Sequence, residues 1–252
     1  MATVIAVANQ KGGVGKTTTV ANLSVALAEL GYRVLMVDLD PQSALSTGAG
    51  VDVNALPQSI YNALVDPDVP VRNVIHHLRP GLDLLPANID LAGAEAELLS
   101  EIGREAILRD RLNDLRGEYD YILVDTPPSL GLLTINALAA ADGVIIPLQC
   151  EYLAMRGMQS LIRTIEKVQH KINPNLKILG ILGTMYDGRT LHSREVLDEV
   201  RTVFGAQVFD TVVKKSIRFA EAPVVNMSLI EYDPRHEGAE AYRQLAKEVA
   251  HG

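Results

Sequence analysis

Two patterns of apolar and polar positions alternate along the chain. Short runs rich in Val, Ile and Leu are typical of strands buried on both faces of a parallel sheet, and longer segments with apolar residues every three or four positions are typical of helices. The predicted strands span residues 2–8, 33–37, 82–86, 121–125, 143–148, 176–183 and 208–213. The predicted helices span residues 17–30, 59–65, 90–115, 131–141, 153–172, 193–204 and 237–250.

Four segments are less regular. Residues 43–58 are rich in Ser, Gly, Asn and Pro and are predicted as a loop. Residues 71–78 form either a helix or an edge strand, and the periodicity does not decide between them. Residues 224–230 show no clear pattern, and the segment 90–115 is expected to break near Gly103.

The alternation of strands and helices predicts an α/β fold, with a doubly wound and mostly parallel sheet covered by helices on both faces. A length of 252 residues favours a single domain, residues 1–252. Ligands of such sheets bind at the carboxyl ends of the strands. Four segments that follow predicted strands are therefore expected to converge on one site: residues 9–16, 38–42, 125–129 and 185–189.

The composition is that of an ordinary soluble protein, with 48% hydrophobic and 21% charged residues. A net charge of -8 argues against a dedicated nucleic-acid binder unless basic residues gather locally, and 4% aromatic residues provide few stacking surfaces. The single cysteine, Cys150, fits a reducing cytoplasm. No apolar run approaches the roughly 20 residues of a membrane span, and no secretion signal is expected before the first strand.

The stretch between the first strand and the first helix carries the clearest chemistry. Residues 9–19 read Asn-Gln-Lys-Gly-Gly-Val-Gly-Lys-Thr-Thr-Thr. The glycines allow backbone N–H groups to point at phosphate oxygens, and the following helix adds the positive end of its dipole. Lys16 is expected to reach the outer phosphates and Thr17 to hold Mg²⁺. The nucleotide-binding residues predicted in this loop are Lys11, Gly12, Gly13, Val14, Gly15, Lys16, Thr17 and Thr18.

Three aspartates stand at the ends of predicted strands. Asp125 is predicted to hold Mg²⁺ together with Thr17, usually through water. Asp38 and Asp40 are spaced i, i+2, so alternation points their side chains differently. One of the two is expected to orient the attacking water of a phosphoryl transfer, and the other to be structural or close to the metal. The residues alone leave open which is which.

The loop departs from the general phosphate-loop pattern, because Gln10 replaces a glycine and Lys11 adds a second lysine. This Lys-Gly-Gly-x-Gly-Lys-Thr form resembles the deviant-loop ATPases, which include the ParA and MinD proteins and the nitrogenase iron protein. Further strings that resemble the ParA type are Asp38-Leu39-Asp40-Pro41-Gln42, Leu91-Ala92-Gly93-Ala94-Glu95, Asp125-Thr126-Pro127-Pro128-Ser129-Leu130-Gly131-Leu132-Leu133-Thr134, Gln149-Cys150-Glu151-Tyr152, Met185-Tyr186-Asp187-Gly188-Arg189-Thr190 and Arg218-Phe219-Ala220-Glu221-Ala222-Pro223.

Two features that the sequence lacks indicate to which branch of this family the chain is most similar. One cysteine does not suit the cluster held by the nitrogenase iron protein, and the last helix lacks the apolar bulk of a MinD-like membrane helix. The chain is therefore most similar to the short ParA type. Two other functions stay open: a MinD-like membrane-associated positioning ATPase, and a metabolic enzyme on the same scaffold such as an ATP-dependent ligase.

The resemblance implies specific roles for individual residues. Asp40 would orient the attacking water, and Lys11 would cross a two-fold interface to the nucleotide of the partner subunit, so that a homodimer encloses two ATP molecules. Non-specific double-stranded DNA would contact Arg189 and Arg218, joined by the neighbouring Lys214 and Lys215. A ParB-type centromere-binding partner would stimulate an intrinsically slow ATPase in the cytoplasm, at the nucleoid.

The residues that match the family's adenine pocket include one departure from its pattern. Met185 matches one side of it, and Lys214-Lys215-Ser216 stands where the family usually reads Pro-Arg-Asn. Lys214 and Ser216 are therefore predicted to bind the nucleotide, while the extra lysine could equally strengthen a DNA contact. The sequence leaves open whether this stretch borders adenine or DNA.

Overall fold

The computed structural model describes residues 1–150 and 154–251. Glu151 and Tyr152 of the strings above, and the predicted helix start at Leu153, lie outside the described residues. The described strands are β1 (Thr3–Val7), β2 (Val34–Asp38), β3 (His76–Arg79), β4 (Leu82–Leu85), β5 (Tyr121–Asp125), β6 (Gly143–Gln149), β7 (Lys177–Tyr186) and β8 (Val208–Lys214). They form one sheet in the order β3-β4-β2-β5-β1-β6-β7-β8, in which only the β3–β4 pair of the described strands is antiparallel.

Helices cover both faces of this sheet. The described helices are α1 (Lys16–Glu29), α2 (Ala44–Gly48), α3 (Ile60–Val65), α4 (Leu91–Glu97), α5 (Ile107–Asn113), α6 (Leu132–Ala140), α7 (Ala154–Lys171), α8 (Leu191–Phe204), α9 (Arg218–Glu221), α10 (Leu229–Tyr232) and α11 (Glu237–His251). Apolar residues of α1, α10 and α11 fill one core, and those of α3 to α8 fill the other. The predicted α/β architecture is confirmed. No helix of the described chain is both long and apolar enough to cross a membrane.

The prediction for residues 43–58 was wrong in part, because this segment contains helix α2. Its apolar content is low, and a tertiary contact stabilises it: the Ser46 backbone and hydroxyl both donate hydrogen bonds to the buried Asp38 carboxylate, at 2.9 and 2.6 Å. Such a contact between segments leaves no period in the local sequence.

The two open segments are resolved by short elements. Residues 71–78 contain both a 3₁₀ turn, Val71–Val74, and the edge strand β3. Residues 224–230 contain the end of another 3₁₀ turn, Ala222–Val225, and the start of helix α10. The expected break in 90–115 is confirmed, since α4 and α5 are separate and Gly103 between them adopts a left-handed φ of +73°.

The carboxyl end of β1 lies at the topological switch point of the sheet, where the connections on its two sides run in opposite directions. Strand β1 lies between β5 and β6, and β2 lies on the far side of β5. Asp38, the last residue of β2, is directly opposite Asp125, the last residue of β5. The loops that follow these strands therefore meet at the usual ligand position of a doubly wound sheet.

Candidate nucleotide-binding site

The loop between β1 and α1 has the backbone of an anion-binding loop. Gly13 and Gly15 adopt left-handed φ angles of +72° and +91°, which a residue with a side chain rarely adopts. Gly15 is also the N-cap of α1, and no side chain caps this helix. The first N–H groups of α1 therefore lack side-chain acceptors and face the loop, where a phosphate group would accept their hydrogen bonds.

Two side chains fasten this loop to the neighbouring strands. The Asn9 amide donates to the Pro147 carbonyl at 2.7 Å, and its oxygen accepts from the Lys11 N–H at 2.9 Å. The Thr184 hydroxyl donates to the Val14 carbonyl at 2.9 Å. The loop shape is thus built into the protein by its own contacts.

Lys16 lies inside the loop and is almost fully buried, with 6% of its surface exposed. Its ammonium is 3.5 Å from the Lys11 carbonyl. Burial lowers the pKa of Lys16, while the nearby Asp125 and Asp40 carboxylates oppose this change. An incoming phosphate would add negative charge beside this lysine and favour its charged form.

Asp125 is fully buried at the end of β5, and neither of its carboxylate oxygens has a hydrogen-bond partner among the described residues. Burial raises its pKa well above the usual range and the Asp38 carboxylate adds to this effect. The Thr17 hydroxyl, which approaches the carboxylate outside full hydrogen-bond geometry, and the Lys16 ammonium oppose it. An unpartnered buried carboxylate is costly. A cation beside Thr17 would remove this cost, so these residues fit Mg²⁺.

The few oxygen ligands around Asp125 suit a cation that takes most of its ligands from outside the protein. No three His, Cys, Asp or Glu side chains converge as a metal site in the described parts of the chain. A cation held here would complete its shell with waters and phosphate oxygens. That is the usual arrangement for Mg²⁺ and is unusual for a stand-alone structural metal.

Asp38 and Asp40 have different environments. Asp38 is fully buried and accepts hydrogen bonds from Ser46 and from the Asp40 N–H, the latter at 3.2 Å. Burial raises the pKa of Asp38 to about 6, against the effect of these hydrogen bonds. Asp40 is only half-buried, and its Oδ1 accepts from the Gln42 N–H at 3.0 Å. Asp38 is therefore fixed in the wall of the site, while Asp40 lies at its solvent side.

Lys11 lies on the outside of the loop and is exposed. Its ammonium donates a hydrogen bond to the Gln149 side chain at 2.9 Å, at the carboxyl end of β6. The lysine therefore extends away from Lys16 and over the rim of the sheet.

The residues predicted for the adenine pocket lie together at the ends of β7 and β8. Met185 is half-buried and adopts a left-handed φ of +50°, which costs energy for a residue with a side chain. The side chains of Lys214 and Ser216 contact the start of α11: Lys214 pairs with Glu237 at 2.7 Å, and the Ser216 hydroxyl lies 3.1 Å from His236 Nε2.

The residues predicted to contact DNA lie on the same edge, and three of the four are ion-paired within the chain. The pairs are Arg189 with Asp187 at 2.9 Å, Lys214 with Glu237 at 2.7 Å and Arg218 with Glu221 at 2.8 Å. The Lys215 N–H donates to the Tyr186 carbonyl at 3.1 Å, which joins the two loops. The basic residues are thus close together, but neighbouring carboxylates offset much of their charge.

Sequence reasoning missed several residues that shape the site. Ser46 holds Asp38, Thr184 holds the phosphate loop, and the Thr126 hydroxyl donates to the Val7 carbonyl at 2.9 Å. Hydroxyl residues of this kind give no periodic signal. Asn9 could have been found, since it directly precedes the glycine-rich stretch and Asn commonly stabilises turns.

Comparisons with known proteins agree with this geometry. Residues 2–178 match the family model described as an AAA domain. The sporulation initiation inhibitor protein Soj of Bacillus subtilis is 49% identical over 251 residues, which cover 99% of each chain. The chromosome partitioning protein ParA of Caulobacter vibrioides is 46% identical over 98% of this chain and 93% of its own.

Solved structures share the whole fold. The structure of cobyrinic acid a,c-diamide synthase from Mycobacterium smegmatis with bound ATP analogue and magnesium has a TM-score of 0.87 and 46% identity, over 98% of this chain and 93% of that one. The septum site-determining protein MinD from Pyrococcus horikoshii, complexed with Mg-ADP, has a TM-score of 0.82 and 27% identity, over 99% and 96%.

Proposed function

This chain belongs to the ParA-type family of deviant-loop ATPases, and from that premise we propose that it is an ATP-dependent DNA-segregation ATPase acting in chromosome or plasmid partitioning. The observation that carries the proposal is the grouping of Lys16, Asp125 and Asp40 around the phosphate loop. It supplies a phosphate-binding cation, an unpartnered carboxylate for Mg²⁺ and a half-exposed carboxylate for water, in one place.

The chain's own groups divide the work of hydrolysis. The phosphate-loop N–H groups and Lys16 hold the outer phosphates and offset the charge that builds up during transfer. Thr17 and Asp125 would hold Mg²⁺, which supplies charge neutralisation to the phosphate oxygens. Asp40 accepts a hydrogen bond from water and orients it in line with the terminal phosphate. Turnover is proposed to be slow, because a positional switch must keep its ATP until it is triggered.

Dimerisation is the proposed output of ATP binding. Lys11 is exposed at the rim of the site, so it can reach a nucleotide held by a second copy of the chain, in the manner of an arginine finger supplied in trans. It would exchange the contact to Gln149 for phosphate oxygens of the partner subunit. The nucleotide would then join the two subunits, and its hydrolysis would separate them.

DNA binding is proposed through Arg189, Lys214, Lys215 and Arg218. Exposed ion pairs such as Arg218–Glu221 contribute little stability, so DNA phosphates can compete for these basic groups. A dimer doubles the patch, and contacts to phosphates alone carry no sequence preference. The proposed site of action is the cytoplasmic nucleoid, where a ParB-type centromere-binding partner stimulates hydrolysis.

The decisive experiment is retention of the protein on non-specific duplex DNA with ATP, ADP or no nucleotide, across a salt series. We expect retention only with ATP and a steep loss as salt rises, since phosphate contacts release counterions. Lys16→Ala should lose nucleotide binding and retention together. Arg218→Glu should dimerise with ATP yet lose DNA. Retention independent of nucleotide, or undiminished in Arg218→Glu, would contradict the proposal.

Two other functions predict different results in the same series. A MinD-like positioning ATPase would bind anionic liposomes with ATP and ignore DNA. A synthase of the kind named for the Mycobacterium smegmatis structure would consume ATP in step with amide formation. ATP hydrolysis that needs an amide-forming substrate, with no response to DNA, would favour that second candidate.

A further inference from the structure

Glu95 contacts the start of α6, the helix that follows the loop after Asp125, although it belongs to a different part of the chain. It lies on α4, in the string Leu91-Ala92-Gly93-Ala94-Glu95, to which no role has been attached above. Its Oε1 accepts a hydrogen bond from the Leu133 N–H at 3.1 Å, in the first turn of α6. Gly131, the N-cap of α6, offers no side chain of its own to this helix start, so Glu95 caps α6 from outside.

A side chain at Gly131 would displace the Glu95 carboxylate. Its φ of -77° is open to any residue, so backbone conformation does not require glycine here. A Cβ at this position would overlap Glu95 Oε1 and come within 3.1 Å of the Glu95 Cδ. Residues 95 and 131 are therefore fitted to each other, and the carboxylate occupies the volume that a side chain would need.

This contact sets the far end of the loop between β5 and α6. The near end is fixed at the sheet, where the Thr126 hydroxyl donates to the Val7 carbonyl at 2.9 Å. In between, Pro128 Cβ lies 3.8 Å from the position of a Cβ on Gly12, so the loop rests against the phosphate loop. Movement of the α6 start would therefore shift the segment that lies against the phosphate loop.

Helix α4, which carries Glu95, is anchored in the core. Its Leu91 and Ala94 side chains are fully buried in the core, while Glu95 between α4 and α6 is half-buried. A rigidly held carboxylate can keep the facing helix start in one position, and a loop already in its binding conformation binds without a conformational penalty.

We propose that Glu95 is a positioning residue for nucleotide discrimination: it holds the loop 126–131 in the conformation that accepts the terminal phosphate of ATP. The inference rests on the proposed ATPase function and adds a residue to it. ADP lacks the third phosphate of ATP, so in this proposal its binding depends less on the loop. Loss of Glu95 therefore weakens ATP binding selectively.

The test is calorimetric binding of ADP·Mg²⁺ and of a non-hydrolysable ATP analogue with Mg²⁺. We expect Glu95→Ala to weaken the affinity for the analogue by about tenfold and to change the affinity for ADP by less than about twofold. Glu95→Gln keeps an acceptor oxygen and should stay close to the wild type. Glu97→Ala is the matched control, since Glu97 lies on the same helix and contacts Tyr61 at 2.8 Å.

A second variant tests the geometry directly. Gly131→Ala displaces the Glu95 carboxylate from the α6 start and should lose analogue binding to about the level of Glu95→Ala. Glu95→Ala with Gly131→Ala should lose no more than either single change, because both remove the same contact. Gly131→Ala alone answers the question if Glu95→Ala does not fold, because it displaces the carboxylate without removing it.

Equal losses for ADP and the analogue, or a double variant in which the two single losses add, would overturn the role of Glu95. Failure of the proposed function looks different. In that case the wild type itself would not distinguish the analogue from ADP, or would bind neither, and both proposals would fall. A wild type that discriminates beside a Glu95→Ala variant that discriminates equally well removes only the role of Glu95.

Discussion

At the scale of one residue, the buried carboxylate of Asp125 lowers the stability of the nucleotide-free protein. Its buried carboxylate oxygens have no partner in the described chain, and its pKa is raised mainly by burial. Since the folded state holds this proton more tightly than the unfolded state, stability of the nucleotide-free protein falls as the pH rises above the ordinary pKa of Asp. The unpaired charge is tolerated because the site requires it.

Asp125→Asn should therefore stabilise the nucleotide-free protein, by about 1–3 kcal/mol at pH 8, where an unpaired buried group costs most. The same change should abolish the additional thermal stabilisation that Mg²⁺ gives with ADP. Melting curves with and without Mg²⁺ measure both effects. Asp142→Asn is the control, and it should lower the stability. Asp142 accepts a hydrogen bond from the Val4 N–H at 2.8 Å and pairs with Arg116 at 3.0 Å, so its charge is already partnered. A loss of stability in both variants would contradict this account of Asp125.

Asp40 carries the second prediction at this scale. Asp40→Ala should bind ATP normally but hydrolyse it at least about 100-fold more slowly, because it removes the group that orients water. The ATP-bound dimer should then persist in size-exclusion runs. Asp52→Ala removes a carboxylate from an exposed position and serves as the control. A variant that stays monomeric with ATP, or that turns over at the wild-type rate, would refute the role.

At the scale of elements, prediction from sequence succeeded where a segment's own composition determines its structure. Strand β5 was predicted with its observed bounds, because a strand buried on both faces is a continuous apolar run. Helix α1 was predicted within one residue of its bounds, because the glycine-rich loop precedes its start and Gly31 follows its end. The site was predictable for the same reason in its glycine-rich loop, whose left-handed residues depend on glycine. Helix α2 was missed because Asp38 of β2, eight residues before Ser46, holds it through space.

Ser46→Ala tests whether this contact supports α2. The hydroxyl donates to Asp38 and also accepts from the Ala87 N–H at 3.0 Å, so its loss leaves a buried N–H without a partner. We expect a loss of about 1–3 kcal/mol in the free energy of unfolding. Ser100→Ala, at an exposed position, should change it by less than about 0.5 kcal/mol. Denaturant titration followed by circular dichroism provides both values, and equal values would show that α2 does not depend on the hydroxyl.

At the scale of the whole molecule, the net charge of -8 and the proposed DNA binding are in tension. The sequence could locate basic residues, but not the carboxylates that reach them through space. Glu237 is 23 residues from Lys214 along the chain and nevertheless forms an ion pair with it. In the proposed function, the affinity for DNA reflects a balance between the patch and its own carboxylates, and a dimer would present two such patches.

Glu221→Gln should shift that balance toward DNA. The change removes the carboxylate that pairs with Arg218 at 2.8 Å and keeps a side chain of the same size. With ATP, retention on duplex DNA should rise several-fold and persist to higher salt, because each subunit of the dimer loses one repelling charge near the phosphates. Asp68→Asn gives the same change in net charge at an exposed position after α3 and should leave retention almost unaltered. If retention on DNA rises equally in the two variants, net charge alone governs binding and Arg218 has no local role. If only Glu221→Gln gains, the DNA surface includes the start of α9.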